Sequence, residues 1–430
     1  MRLLFDLCYL TAITVGAPYC VYKLITRKKI RAGIKQKLGF PPARAGRDCA
    51  WFHCVSVGEV GLARELVRRF EERFPECPAA VSTTTDTGCA AAEKHFPEND
   101  VFYYPFDLSP AVRGAFRRIR PRFIVLVELE LWPNLIMTAR KKNVPVVIVN
   151  GRITESTFRR LRRLRFIVRP LLRSLAAISV QEDDYARRLV GLGADPDSVT
   201  VTGNMKYDTV KTAVDTGHPA YRAIERAGAR QMIVGGCTWP GEDEALLKIY
   251  AELKQTNPGL GLTLAPRHAE RLDAVERSAE GAGLSCFRLS SLKTQLQNGE
   301  NSSDALGGVI LVDTFGELDA IYSAANLAFV GRSLTQHGGH NMLEPAALGK
   351  PVIFGPHTEN FAEATDLLLG ARAALRVKTE AELREQIIGF LHDPAPFVQM
   401  GASAKEAVEK KKGATEKNLM LLERAMRART

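Results

Sequence analysis

Hydrophobic and polar positions alternate along most of the chain in a way that predicts strands and helices in turn. Short runs rich in valine, isoleucine and aromatic residues recur, and each is followed by a stretch in which apolar residues return every three or four positions. The first pattern is typical of buried strands and the second of amphipathic helices. This alternation favours a parallel, doubly wound sheet, in which functional side chains gather at the carboxyl ends of the strands.

The alternation runs through the chain twice. A polar stretch with Gly217 and Pro219 separates the two series and is typical of a connection. We therefore predict an α/β fold of two doubly wound, Rossmann-like domains, at 27–205 and 206–410, that face each other across a cleft. An N-terminal segment at 1–26 and a C-terminal helix at 411–430 flank them. The predicted strands are 51–57, 79–85, 101–106, 123–129 and 144–151 in the first series, and 231–236, 261–266, 284–289, 309–313, 327–331 and 351–354 in the second.

The N-terminal segment is strongly apolar. Residues 3–25 are long enough to enter or cross a bilayer, although Asp6 and Pro18 interrupt the run. Basic residues follow directly, and the positive-inside rule predicts that they keep the rest of the chain in the cytoplasm. We favour an uncleaved membrane anchor or an interfacial helix. The alternative is a first helix packed on the globular body.

Charge and cysteine usage narrow the functional classes only in part. The 430-residue chain has a formal net charge of +11, which fits nucleic acid, an acidic membrane surface or a phosphorylated substrate as partner. The eight cysteines are scattered and form no C-x-x-C pair, as expected in a reducing compartment. His337 and His340 are three residues apart, but no clear third ligand accompanies them, so the sequence predicts no metal site.

Carboxylates follow two strands of the first domain. The motif S-V-G-E at 56–59 lies between a strand and the next helix, where Glu59 either complements the helix dipole or acts as a general base towards a hydroxyl. The motif V-E-L-E-L-W-P-N at 127–134 ends another strand. Burying unpaired carboxylates is costly, so we expect Glu128 and Glu130 to face the cleft or a cation.

Basic side chains are concentrated near the end of the first domain. Apolar residues interleave with a series of arginines, and this basic amphipathic pattern suits a membrane surface or a phosphorylated lipid. A solvated helix face is the alternative. No aromatic stacking pattern accompanies the arginines, which argues against nucleic acid. Lys206 follows in V-T-G-N-M-K-Y-D and reads, by itself, as a surface residue. The series is Arg159, Arg160, Arg162, Arg163, Arg165, Arg169 and Arg173.

Loops with polar or glycine residues follow four strands of the second domain. One of them passes through Gly338 and Gly339 and leads into a helix predicted to begin near Asn341. Its amides and the helix dipole would then meet at a point suited to a phosphate, with Glu344 placed for a ribose diol. An ordinary strand-to-helix turn is the alternative. Arg267, in another of these loops, is a candidate partner for the phosphate.

Together the motifs resemble those of the 3-deoxy-D-manno-octulosonic acid (Kdo) transferases of lipopolysaccharide synthesis. The resemblance is carried by S-V-G-E, E-L-W-P-N and G-G-H-N-x-L-E-P-A-A-x-G-x-P-V-I-x-G-P-H-x-x-N-F. It implies that Glu59 is the general base and that Glu128 and Lys206 assist the transition state. The family usually has Ser-Thr where this chain has Cys237-Thr238, so only Thr238 stays a candidate donor there. The implied contacts with the cytidine nucleotide are Pro266, Arg267, Phe315, Gly316, Glu317, Asn341, Met342, Leu343 and Glu344.

The resemblance also implies a reaction and a cellular place. The expected architecture is the GT-B fold of glycosyltransferases, and the expected reaction is an inverting transfer of Kdo from CMP-Kdo to a phosphorylated lipid A precursor, without a cofactor or a metal. The expected place is the cytoplasmic side of the cell inner membrane, with the anchor and the arginines at its anionic surface. One alternative is another enzyme of this fold, such as a UDP-sugar transferase or a nucleotide-sugar epimerase. The other is a non-catalytic basic protein that binds membranes.

Overall fold

The computed structural model describes residues 6, 33–42, 48–299 and 307–427. The predicted anchor therefore lies, apart from Asp6, outside the described residues. Within those ranges no helix combines the length and the apolar character needed to cross a bilayer. The chain divides into two compact units: unit 1 extends to Thr209 and resumes at Lys412, and unit 2 is Val210–Lys411. The sequence predicted the boundary between the two domains after residue 205 and the start of the C-terminal helix after residue 410.

Unit 1 is built around a seven-stranded parallel sheet. Its strands are β1 (Cys49–His53), β2 (Ala79–Thr83), β3 (Asp100–Tyr103), β4 (Pro121–Val127), β5 (Val146–Gly151), β6 (Ala177–Val180) and β7 (Val199–Val201). The order across the sheet is β3-β2-β1-β4-β5-β6-β7. The direction of winding reverses between β1 and β4, and doubly wound sheets bind their ligands outside such a switch point. All five predicted strands are present, and β6 and β7 extend the sheet beyond them.

Amphipathic helices connect these strands. In the helix after β1, for example, Val60, Val67 and Phe70 recur on one side and are buried. The helices of this part of the chain are α1 (Ile34–Lys37), α2 (Val57–Arg73), α3 (Asp86–His95), α4 (Ser109–Ile119), α5 (Pro133–Lys141), α6 (Glu155–Arg163), α7 (Arg165–Leu172) and α8 (Asp183–Leu192).

The sheet of unit 1 is buried on both faces, as β1 illustrates. Cys49 and Trp51 belong to one core cluster, whereas Ala50 and Phe52 belong to another. Because successive side chains of a strand point to opposite faces, the two clusters lie on opposite sides of the sheet. Strands covered on both faces are almost continuously apolar, which is why this series stands out in the sequence.

Unit 2 repeats this architecture. Its strands are β8 (Gln231–Thr238), β9 (Leu260–Pro266), β10 (Cys286–Arg288), β11 (Val309–Leu311), β12 (Leu327–Val330), β13 (Val352–Phe354) and β14 (Leu375–Arg376). They form a parallel sheet in the order β10-β11-β9-β8-β12-β13-β14. Here the switch point lies between β8 and β12.

The helices of unit 2 confirm the predicted alternation. The helix expected near Asn341 begins at Leu343 and has only five residues. The Asn341 side chain accepts a hydrogen bond from the Leu343 N–H (3.2 Å) just before the first turn. The helices are α9 (Pro219–Arg226), α10 (Glu242–Lys254), α11 (Leu272–Gly281), α12 (Leu289–Gln297), α13 (Leu318–Ser323), α14 (Leu343–Ala347), α15 (Ala362–Gly370), α16 (Glu380–His392) and α17 (Ala395–Lys410).

The last helix, α18 (Ala414–Arg427), belongs to unit 1. Leu419 and Leu422 join the core cluster of that unit. The fully buried Asn418 side chain accepts a hydrogen bond from the Ser179 hydroxyl (2.5 Å) and donates one to the Thr202 hydroxyl (3.1 Å). A helix at the end of the sequence is thus part of the first folding unit.

Candidate active site

The switch point of unit 1 brings the two carboxylate motifs together. β1 and β4 are neighbouring parallel strands, so the loops that follow them leave the same edge of the sheet. One loop leads to Glu59 at the start of α2, and the other carries Glu128 and Glu130. The groups are close enough for charge repulsion: the Glu128 charge raises the pKa of Glu59, and the Glu59 and Glu128 charges raise that of Glu130. Both motifs thus lie at the carboxyl ends of strands, where doubly wound sheets carry their functional side chains.

Glu59 is held in a fixed orientation. One carboxylate oxygen accepts the Val55 N–H (2.6 Å) and the other accepts the Ser56 hydroxyl (3.0 Å). The residue is 9% exposed. Burial raises the pKa of this carboxyl to about 7, a shift that the Val55 and Ser56 hydrogen bonds oppose and the charge of Glu128 reinforces. A carboxyl that titrates near neutral pH is suited to accept a proton from a hydroxyl group.

Glu128 and Glu130 differ in their surroundings. Glu128 has a left-handed backbone conformation (φ 61°), which is uncommon for a glutamate and indicates a position constrained by its neighbours. Its N–H donates to the Val149 carbonyl (2.9 Å), which continues the pairing of β4 with β5. Glu130 is half-buried, and no hydrogen-bond donor among the described residues reaches its carboxylate. Burial, then Glu59 and Glu128, raise the pKa of Glu130 to about 7.

An aromatic cluster packs beneath the E-L-W-P-N loop. The Trp132 ring lies against Tyr104 at a tilt of 41° and a centroid distance of 4.6 Å, and it meets His53 edge-on at 5.7 Å. His53 is completely buried, and this burial lowers its pKa to about 3, so the imidazole is neutral. These ring contacts give Trp132 a packing role. They give the loop with Glu128 and Glu130 a rigid support.

Lys206 lies in a short 3-10 turn, Met205–Tyr207, that two anchors hold. The fully buried Asn150, with φ 56°, accepts the Met205 N–H (2.9 Å), and Asn204 accepts the Lys206 N–H (3.0 Å). The Lys206 side chain is exposed, and no carboxylate of the described residues pairs with it. Lys206 is therefore placed by its backbone and keeps its ammonium group available.

The predicted basic stretch forms α6 and α7 and is exposed. All seven arginines of the series are exposed, and Arg159 pairs with Glu155 in the same helix (2.9 Å). Two large apolar side chains at the junction of the helices are exposed with them, Leu164 at 45% and Phe166 at 72%. This part of the surface thus combines arginines with two large apolar side chains.

In unit 2 a buried carboxylate joins the two strands of the switch point. Glu242 is fully buried at the start of α10, and its oxygens accept the N–H groups of Arg332 (2.7 Å), Ser333 (2.8 Å) and Leu334 (2.8 Å) from the loop after β12. It also accepts the Trp239 N–H (2.9 Å). These amides are thus satisfied by the protein itself. In the predicted glycine stretch itself, the Gly338 N–H donates to Glu359 (2.8 Å) and the Gly339 N–H to the Arg332 carbonyl (2.8 Å).

A cavity of about 410 Å³ lies at the same edge of unit 2. Among the predicted nucleotide contacts, Arg267, Gly316, Asn341 and Glu344 line it. A smaller cavity of about 90 Å³ shares Arg267 and Gly316 with it and is lined also by Pro266 and Phe315. Six of the predicted residues thus meet at two adjoining cavities, although they come from loops far apart in the sequence.

The polar groups of the larger cavity have altered acidities. Burial raises the pKa of Glu344 to about 7; Asp319 adds to the shift, while Asn341, which donates to Glu344 (3.0 Å), and Arg267 oppose it. His340 also lines the cavity. Burial, then Arg267 and Arg332, lower the pKa of His340 to about 4, so its ring is neutral at physiological pH.

Four predicted residues do not line these cavities. The Thr238 hydroxyl is fully buried and donates to Asp243, and the Glu317 carboxylate pairs with Lys293 (2.6 Å). Met342 and Leu343 are buried beneath the loop.

Cys237, which replaces the family's serine, lines both cavities and has a backbone φ of 54°. Burial raises the pKa of its thiol to about 12, so the group is uncharged.

The structure changes the expected source of positive charge. A five-residue helix sums few peptide dipoles, so α14 contributes much less than the sequence-based prediction assumed. Arg267 lines the cavity, and Arg332 lies over the Trp239 ring at 5.2 Å. Sequence reasoning did not give Arg332, His340 or Glu242 a role. Only their places in strand-to-helix loops hinted at one.

Comparisons with known proteins agree with this geometry. The family model described as 3-Deoxy-D-manno-octulosonic-acid transferase (kdotransferase) matches residues 32–209. A 3-deoxy-D-manno-octulosonic acid transferase of Haemophilus influenzae is 31% identical over 97% of this chain and 94% of its own. A bifunctional glycosyltransferase/methyltransferase of Fusobacterium nucleatum is 32% identical over 85% of this chain, which spans only 56% of that relative.

A solved structure supports the fold over both units. MurG of Acinetobacter baumannii matches with a TM-score of 0.52 and 14% identity, over 88% of this chain and 100% of that one. At this identity the likeness concerns the fold alone, which is GT-B-like with two parallel-sheet α/β domains. The identity with the Haemophilus protein extends over nearly the whole length of both chains. The chain therefore belongs to the 3-deoxy-D-manno-octulosonic acid transferases, a family of glycosyltransferases.

Proposed function

We propose that this transferase moves Kdo from CMP-Kdo to a hydroxyl group of a phosphorylated lipid A precursor. The observation that carries the proposal is Glu59, a carboxylate fixed by two hydrogen bonds, nearly buried, and with a pKa of about 7. Such a group takes the proton of the acceptor hydroxyl as its oxygen attacks the anomeric carbon of Kdo. The new C–O bond forms as the bond from that carbon to the phosphate breaks, and CMP leaves.

The proposed reaction inverts the anomeric centre through a transition state with oxocarbenium character. Negative charge develops on the departing phosphate, and we assign its stabilisation to Arg267 in the larger cavity of unit 2. Glu344 would accept hydrogen bonds from the ribose, and Asn341 holds Glu344 in place (3.0 Å). Lys206 and Glu128 would assist the transition state. The reaction so described uses neither a cofactor nor a metal ion.

The acceptor in this proposal stays in the membrane, and the protein meets it at the cytoplasmic face of the cell inner membrane. The exposed arginines of α6 and α7 would contact anionic headgroups, with Leu164 and Phe166 entering the boundary region. The apolar segment 3–25 would add a second attachment. Two weak attachments together bind a membrane far more firmly than either does alone.

The test is transfer from CMP-Kdo, generated in situ, to a lipid A precursor by the purified protein and by Glu59→Gln. We expect the wild type to transfer Kdo and release CMP, and the variant to be slower by about 10²-fold or more, with CMP binding retained. Glu72→Gln, on the exposed side of the same helix, is the matched control and should keep full activity. Counting the sugars on the product gives the number of Kdo residues added.

Two results would overturn parts of the proposal. A wild type that binds CMP but transfers nothing to the lipid would show that the acceptor is wrong. A wild type that ignores CMP and binds a UDP-sugar would favour the alternative enzyme of the same fold. If Glu59→Gln were as active as Glu72→Gln, the proposed base would be wrong even with the reaction correct.

A further inference from the structure

Two loops at the edge of the unit 2 sheet bring together three metal-ligating side chains. His337 lies in the loop after β12, and His357 and Glu359 follow β13. Among the described residues, these three form the one group of histidine, cysteine or carboxylate side chains whose ligand atoms all lie within 4.8 Å of one another. His340, which the sequence spacing paired with His337, is not a member.

The two loops are fastened to each other by backbone hydrogen bonds. The Asn360 N–H donates to the Gly338 carbonyl (3.0 Å), and the His357 N–H donates to the Ser333 carbonyl (2.9 Å). The Gly338 N–H donates to Oε2 of Glu359 (2.8 Å). Oε2 is therefore occupied, whereas Oε1 points to the histidines. Ligands held in place in this way lose little conformational entropy when an ion binds.

The distances fit a single ion. Oε1 of Glu359 is 3.1 Å from Nδ1 of His337 and 3.7 Å from Nδ1 of His357. Nitrogen and oxygen ligands of zinc lie at about 2.0–2.1 Å in tetrahedral geometry, so two ligands of one ion are roughly 3.3 Å apart. The two observed distances lie on either side of this value. The imidazole centroids are 4.1 Å apart, so both rings lie beside the shared oxygen.

We propose that His337, His357 and Glu359 bind one first-row divalent cation of the zinc class, with the fourth position open to water. Two imidazoles and one carboxylate form a donor set that zinc, cobalt and nickel accept readily. His337 is 80% exposed and Glu359 56% exposed, so an ion reaches the group directly from solvent. The bound ion ties the loop before Asn341 to the loop after β13. The proposal rests on this geometry alone and is independent of the proposed transfer reaction.

The test uses the full chain, freed of metal with a chelator and kept reduced. Zinc binding is measured against a chromophoric competitor, and cobalt binding by its visible absorption. We expect one ion per chain and a cobalt spectrum of nitrogen and oxygen ligation. Removing one of three ligands should weaken binding by more than about tenfold, so His337→Ala, His357→Ala and Glu359→Gln should each do so. His392→Ala, which removes an exposed histidine elsewhere in unit 2, should bind as the wild type does.

Several outcomes would overturn the proposal. Equal binding by the wild type and the three variants would place the ion elsewhere, and a strong near-ultraviolet cobalt band would indicate thiolate ligation by Cys237 or Cys286. An absence of binding at stoichiometric metal would leave only a hydrogen bond between His337 and Glu359. Thermal unfolding adds a second measurement. Zinc should raise the Tm of the wild type and of His392→Ala, but not that of His337→Ala. Because the His337 side chain is exposed, its replacement should not disturb folding, so misfolding would not explain the missing effect of zinc.

Discussion

Glu242 accepts a hydrogen bond from the Ser333 N–H at 2.8 Å, although 91 positions separate the two residues in the sequence. The same carboxylate accepts three further backbone N–H groups. Gly331 makes this approach feasible, because a Cβ atom there would lie 2.6 Å from the Cys237 carbonyl oxygen. One buried side chain thus fixes the loop that leads to Asn341 and Glu344.

Replacing Glu242 should therefore disturb both stability and nucleotide binding. In Glu242→Gln an amide NH₂ faces backbone N–H groups, so at least one buried donor loses its acceptor at a cost of about 1–3 kcal/mol. We expect urea unfolding at a lower midpoint and CMP affinity reduced about tenfold or more by calorimetry. Glu244→Gln, an exposed neighbour that accepts only the Gly241 N–H, is the control. If both variants lost stability and CMP affinity to the same extent, the proposed role of Glu242 in fixing this loop would be wrong.

The activity should rise with pH through the neutral range. The pKa of Glu59 is about 7, and a general base works only when it is unprotonated, so kcat/KM should fall about tenfold per pH unit below that value. The Glu59 charge raises the pKa of Glu130, and because charge repulsion is mutual, a charged Glu130 in turn disfavours the charged form of the base. In Glu130→Gln the rate profile should therefore move to lower pH. Glu76→Gln changes an exposed residue in the loop after α2 and should leave the pH–rate profile unchanged. A profile that Glu130→Gln does not shift would argue against a charge interaction between Glu130 and Glu59.

The same carboxyl groups should make the fold less stable as pH rises. Their folded pKa values of about 7 exceed the ordinary 4.5, so the folded state binds more protons than the unfolded state between about pH 4.5 and 7. Stability falls with pH wherever the folded state binds more protons. Relative to the wild type, Glu130→Gln should gain stability on the order of 1 kcal/mol at pH 8 and little at pH 5. Urea unfolding at both pH values measures this difference, and a gain that is the same at both would be inconsistent with it.

The larger cavity of unit 2 should lose affinity for CMP when Glu344 is changed. The proposed function assigns the ribose to this carboxylate, and glutamine keeps its shape but removes its charge. We expect Glu344→Gln to bind CMP about tenfold more weakly, since hydrogen bonds to charged groups contribute about 1.5–3 kcal/mol. Its thermal stability should be maintained, because burial disfavours the charged form of this group. Glu385→Gln on the surface of α16 is the control and should bind CMP as the wild type does. If the two variants bound CMP with the same affinity, Glu344 would not contact the nucleotide.

Asp208 should couple the last helix to the turn that carries Lys206. Its carboxylate accepts the N–H groups of Gly413 (2.7 Å) and Thr415 (2.6 Å) at the start of α18. Asp208→Asn can keep one of these bonds, so we expect a loss of about 1–2 kcal/mol in unfolding free energy and a lower kcat with unchanged CMP affinity. Asp215→Asn changes an exposed carboxylate that accepts the nearby Gly217 N–H (3.2 Å), and it should have neither effect.

Much of the fold could be predicted because the strands are apolar over their whole length and glycine or polar loops follow them. β7 and β14 were missed because they are edge strands whose residues are partly or fully exposed, so they lack a continuous apolar run. β6 was missed as well, although its four residues are buried. The placement of Glu59 beside Glu128 and Glu130 follows from the parallel order of β1 and β4. Motif and topology together are enough to find that part of the site.

The remaining features depend on contacts between distant residues. Nothing in the local sequence shows that Glu242 receives amides from 332–334, or that Thr238 gives its hydroxyl to Asp243. His357 and Glu359 approach His337 only because β12 and β13 are adjacent. Spacing along the chain instead drew attention to His340, whose ring lines the nucleotide cavity. Pairings of this kind are set by the sheet order and not by sequence distance.

The position of α18 has a consequence for how the protein is made. A ribosome releases the strands of unit 1 first, but the helix that supplies Leu419 and Leu422 to their core emerges only after all of unit 2 has been synthesised. During that interval the Ser179 and Thr202 hydroxyls lack their Asn418 partner and nearby apolar surface is open to solvent. Unit 2 is continuous in the chain and needs no later segment. The second half of the protein can therefore reach its final fold before the first.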